Sequence, residues 1–165
     1  MFDTIFGLPM HPLVVHATVV VVPTAALSIA LAACWPRFRR WAGFLPLLLS
    51  VVALLLVPLS TSSGESLERH VPETELLRQH TEMADGLLVW VIILTVAAAG
   101  LYWQDRTSKL PRRALVTVAI SVLAAVGVVG TVVQVVRIGH SGAKAAWSET
   151  SASTAQSLEP PGAGH

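Results

Sequence analysis

Residues 114–137 read ALVTVAISVLAAVGVVGTVVQVVR, with 23 uncharged positions between Arg113 and Arg137. A bilayer's hydrocarbon core takes about 20 apolar residues of helix, so this stretch is long enough to cross a membrane once. Three more stretches pass the same test. No Asp, Glu, Lys or Arg occurs between Asp3 and Arg37, 24 uncharged residues separate Arg40 from Glu65, and 19 separate Asp85 from Asp105. Runs such as Val19–Val22 favour strands in water, but a backbone in lipid must satisfy its own hydrogen bonds, and helices do so economically. The expected spans are therefore 12–35, 41–60, 84–104 and 114–137, joined by short connections that make consecutive helices antiparallel. The fold class read from this pattern is an all-α integral membrane protein, a four-helix up-down transmembrane bundle.

Composition points the same way. Of 165 residues, 53% are hydrophobic and 13% charged, where a soluble domain carries about 25% charged residues. Eleven Lys and Arg against ten Asp and Glu leave a net charge of +1, so no affinity for nucleic acid is indicated. Cys34 is the one cysteine, which excludes an intramolecular disulfide, a Cys-x-x-Cys redox pair, covalent c-type haem attachment and a Cys-ligated cluster.

Charge position sets the expected orientation. The first connection holds Arg37, Arg39 and Arg40, and the third holds Arg106, Lys109, Arg112 and Arg113, together seven of the eleven basic residues. The positive-inside rule places both connections in the cytoplasm. Both termini and the acidic loop 61–83 then lie outside a bacterial plasma membrane. Trp35, Trp41, Tyr102 and Trp103 fall at the cytoplasmic border as an aromatic belt. Asp3 precedes the first span and no basic residue does, so that span is expected to stay in the protein rather than act as a cleavable signal. The four-span domain is expected to cover 1–147. The Ser-, Thr-, Ala-, Gly- and Pro-rich tail, 148–165, is expected to be disordered.

With this orientation five histidines, His11, His16, His70, His80 and His140, come to the outer face. His16 lies about one turn inside the first span, His80 just before the third, and His140 just after the fourth. At 1.5 Å per residue they fall within roughly two turns of a common plane. Helix 72–104 is expected to begin outside the membrane near Pro72 and carry Arg78 and His80 toward the bundle. On the last span Gly127, Gly130, Gln134, Arg137 and Ser141 recur at three- and four-residue steps, a small and polar stripe suited to the bundle interior. Gln134 would be costly against lipid and needs a partner.

Imidazole ligates haem iron and metal ions. A b-type haem would take two of His16, His80 and His140, with Arg78 and Arg137 near its propionates; a copper or zinc ion would want all three converging, with Glu82. His11 is a further candidate ligand, and Gln134 a further polar contact. A proton relay and plain hydrogen-bonded packing remain open for the same trio. The sequence contains no Ser-His-Asp arrangement, Walker motif, HExxH or GxGxxG, so independent catalytic activity is not expected.

Two segments resemble a known family. Residues 8–16, LPMHPLVVH, and 137–144, RIGHSGAK, resemble the end motifs of domain of unknown function 2231, a family of small bacterial four-span membrane proteins. Gln79-His80-Thr81-Glu82 is similar to that family's histidine-acid pair. Some relatives are joined to Rieske-type or cytochrome c modules, so the resemblance implies redox surroundings on the outer face. The function expected is haem-linked electron transfer with an outer-face redox protein. The alternatives are a non-catalytic subunit of a respiratory-type membrane complex and a copper or zinc binding protein.

The orientation is testable in a chain carrying Cys34→Ala. A membrane-impermeant thiol reagent added outside should label Ser62→Cys and spare Ser108→Cys; the reverse pattern would invert the topology.

Overall fold

The computed structural model describes residues 4–5, 8–68, 75–106 and 113–158. Strands β1 (Thr4–Ile5) and β2 (Leu8–Pro9) pair antiparallel, two residues each. Apart from the extended Trp35, all else described is helical or turn: α1 (Met10–Cys34), α2 (Pro36–Ala42), α3 (Leu45–Glu68), α4 (Glu75–Arg106) and α5 (Arg113–Leu158). Four stretches are long and apolar enough to cross a membrane, Pro12–Cys34, Leu45–Gly64, Glu82–Arg106 and Ala114–Lys144.

α1 packs on α3 and α5, and α4 packs on α3 and α5, which closes a four-helix ring with α1 and α4 also touching across it. α4 and α5 run antiparallel: Gln134 meets Met83, Gly130 meets Trp90, Gly127 meets Leu94, Gly100 meets Ile120, and Gln104 meets Thr117. Buried positions recur at three- and four-residue steps on every span. They include Thr18, Val22, Ala25, Ala26, Ile29 and Ala32 on α1; Ser50, Ala53 and Val57 on α3; Leu87, Val91, Leu94, Ala97, Ala98 and Leu101 on α4; and Ala124, Gly127, Thr131 and Gln134 on α5. This spacing is that of near-parallel helices packed side by side. In lipid, apolar burial gives no drive for helices to associate, so close van der Waals contact and polar pairs must hold them.

Small residues permit that contact. A Cβ on Gly127 would stand 3.3 Å from the Leu94 backbone, and one on Gly130 would overlap the Trp90 ring. Buried hydroxyls return to their own helix: Thr18 donates to Val14 O at 2.8 Å, Ser28 to Ala25 O at 2.8 Å, and Ser50 to Leu47 O at 2.8 Å. Thr95 donates both to Val91 O at 2.8 Å and across to Ser50 O at 3.2 Å, tying α4 to α3.

The basic end is fastened by Arg39, whose Nε lies 3.1 Å from both Asp105 carboxylate oxygens while a terminal guanidinium nitrogen reaches Ala32 O at 3.4 Å. One side chain thereby joins α2 to the ends of α1 and α4. The Arg106 guanidinium sits 4.7 Å above the Tyr102 ring, a cation–π contact at the same end.

The helices depart from the expected boundaries in three places. Residues 36–42 form a separate short helix because Pro36 suits a first helical position; Gly43, at φ +57°, then turns the chain, so Trp41 belongs to α2 and not to the second span. Helix also covers much of the expected loop 61–83, since α3 runs to Glu68 and α4 starts at Glu75. Thr61, Ser62 and Ser63 bond back to Pro58, Leu59 and Ser60 carbonyls, so these polar residues prolong α3. Finally, α5 continues to Leu158, through residues 148–158 of the expected disordered tail. Neither Gly nor Pro occurs from Ala143 to Leu158, so no residue there breaks a helix. Prolines 23 and 58 lie inside α1 and α3 without ending them.

Gly130→Ala is expected to lower the melting temperature, corresponding to about 1–3 kcal/mol of overpacking. Gly139→Ala, whose Cβ meets nothing within 4 Å, should leave it unchanged. Equal melting of the two would show that Trp90 is not seated on α5.

Candidate functional site

Arg39 ties the last turns of α1 and α4 together, and α5 runs antiparallel to α4. The first turns of α1 and α4 therefore share the opposite end of the bundle with the segment of α5 beyond Gln134. His16 on α1, His80 on α4 and His140 on α5 thus come to one end, as their spacing from the span borders implies.

Their directions within that end differ from a convergent site. On α1 the inward positions begin at Thr18 and Val22; His16 precedes Thr18 by two residues, roughly 200° around the helix at 100° per residue, and is exposed. On α5, Thr131 and Gln134 face inward, whereas His140 is exposed. The side chains of His11 and His80, and residue His70, lie outside the described residues. Among the described residues no group of three His, Cys, Asp or Glu side chains is placed to hold a metal ion.

His16 is nevertheless fixed in orientation. Its Nδ1 lies 2.6 Å from the Pro12 carbonyl oxygen one turn earlier, a contact in which the ring N–H donates and Nε2 is left outward. Ligating histidines use such an anchor to set ring orientation and tautomer. Of the expected charged partners, Arg78 is exposed and ion-paired with Glu82 at 3.0 Å. Arg137 is exposed and makes no hydrogen bond or ion pair within the described residues.

A b-type haem inside the bundle would need two imidazoles facing each other across a flat gap. The described side chains do not form that arrangement: Thr18, Val22, Leu87, Thr131 and Gln134 fill the interior below the histidines, while His16 and His140 point away from it. The residues fit a single outward imidazole ligand better than an enclosed haem pocket.

Gln134 finds the partner it needs. Its Nε2 donates to the Met83 carbonyl of α4, and the side chain is buried. The Thr131 hydroxyl, fully buried one turn below, has no hydrogen-bond partner among the described residues. Ser141 is half-buried and donates to Ile138 O at 2.9 Å.

Trp90 was not singled out by the sequence pattern. Its ring lies against Gly130 and, with Ala125, Val126, Val129, Val133, Gln134 and Arg137, lines an open groove of about 560 Å³ between α4 and α5. Its signal was a tryptophan inside a span instead of at an interface, where this residue is enriched.

No curated protein and no solved structure matches the chain. One family model, described as a predicted membrane protein, matches residues 7–155, a region that takes in all four spans and the histidine end. The chain therefore belongs to the DUF2231 family of membrane proteins.

Proposed function

We propose that this chain is a non-catalytic membrane subunit that receives a partner protein at its histidine end. The observation that carries this reading is the outward placement of His16 and His140 beside a filled interior. Groups suited to recognition stand on exposed positions at one end, where a neighbour can meet them, and the bundle axis is occupied by packed side chains. By the positive-inside rule the Arg39 end lies in the cytoplasm. The histidine end and both termini then face the outside of a bacterial plasma membrane, and the partner is an outer-face protein or membrane complex.

A second reading is favoured by the anchor on His16. With Nδ1 held by Pro12, Nε2 is presented as a ligand for a b-type haem or for a copper or zinc ion at the subunit's surface, with His140 or His80 as companions from the same end. A haem or copper held there would supply one-electron transfer with a redox partner; a zinc ion would supply cross-linking without redox chemistry.

Position-specific crosslinking separates contact from lipid exposure. A photoreactive amino acid at residue 16 or 140, irradiated in native membranes, should give a protein adduct of the same mass from both sites. The same probe at Val118, exposed on α5 near the basic end, should give none. Lipid adducts alone at all three would overturn the subunit reading. An absorption spectrum with metal analysis of the purified chain tests ligation: a Soret band, or a stoichiometric ion, should be lost in His16→Ala. A chain that binds neither would end the second reading.

A further inference from the structure

We propose that the groove between α4 and α5 binds an anionic phospholipid, with one acyl chain along Trp90, Val126, Val129 and Val133 and the phosphate on Arg137. The groove is shallow and open on its lipid-facing side, with about 560 Å³ of space along it. Its walls are apolar except at one end, where Gln134 and Arg137 stand. Gln134 has committed its Nε2 to Met83. Arg137 is exposed and has no partner among the described residues, so an unpaired cation stands at the mouth of an apolar groove.

Dimensions agree with one leaflet. From Ala125 to Arg137 the helix rises roughly 18 Å at 1.5 Å per residue, against about 15 Å for half of a 30 Å hydrocarbon core. Arg137 at the headgroup border therefore puts Ala125 near the bilayer midplane, and the groove spans the depth that one acyl chain occupies. Gly130 makes the floor: without a Cβ, α5 leaves room for the Trp90 ring where a side chain would overlap it. Charge complementarity chooses the occupant. A guanidinium at that depth is surrounded by lipid phosphates, and it prefers a headgroup with net negative charge over one whose choline neutralises the phosphate.

Native mass spectrometry of the chain, released from vesicles containing equal phosphatidylglycerol and phosphatidylcholine, reads this directly. The unaltered chain should retain one phosphatidylglycerol in preference to phosphatidylcholine. Arg137→Gln should reduce that preference about fivefold, the factor for one basic residue near a membrane surface. Val129→Trp, which adds bulk inside the groove at a position 62% exposed, should lose retained lipid of both kinds while melting as before; if it fails to fold, Arg137→Gln alone decides. Equal retention of the two lipids by the unaltered chain, or an unchanged preference in Arg137→Gln, would overturn the proposal. So would a dimer that Val129→Trp converts to monomer, since a second copy would then fill the groove.

Discussion

In hydrocarbon no water is available to an unpaired amide or hydroxyl, and each such group costs several kcal/mol. Among the described residues the structure answers that requirement at every buried side chain but the Thr131 hydroxyl. The four spans satisfy their backbones as helices, and buried hydroxyls at Thr18, Ser28 and Ser50 turn back to carbonyls of their own turn. Gln134 on Met83 and Thr95 on Ser50 reach a neighbouring helix at a backbone carbonyl, and Gln104 reaches one at the Thr117 hydroxyl. Polar groups thus fasten helices to one another without leaving an open polar chamber between them.

That packing has a consequence for function. Ala124, Gly127, Thr131 and Gln134 face inward on α5, so the same helix turns Val129, Val133 and Val136 toward lipid, while Arg137 and His140 are exposed near its histidine end. On α1 the inward run of Ala25, Ala26, Ile29 and Ala32 likewise leaves His16 outside. Close approach of small residues and outward display of ligand-type residues are therefore two sides of one helix phase. A bundle built this way displays those residues on its periphery.

Much of the fold was legible in the sequence because membrane spans write long charge-free runs, and the basic connections mark one end of the bundle. Gln134's need for a partner was legible for the same reason, since an amide in a span cannot be left alone. The direction of the histidines was not. Their common level follows from counting residues, but convergence also depends on helix phase. A two-residue step between His16 and Thr18 turns one outward and the other inward. The Trp90 groove escaped because it needs α4 and α5 together: Gly130 reads as a packing residue until the ring it admits is known. Residues 148–158 were expected to be disordered on composition, yet that segment contains no helix breaker, and α5 runs on through it.

The central claim, a filled bundle with His16 and His140 outside it, is tested most directly by nitroxide accessibility in reconstituted membranes. Spin labels at residues 16, 140 and 131, each in a Cys34→Ser chain, would be compared for collision with oxygen and with a water-soluble nickel chelate. The account predicts strong relaxation by one or both agents at 16 and 140 and little by either at 131. Shielding at 16 and 140 equal to that at 131 would contradict it and place these two histidines inside the bundle.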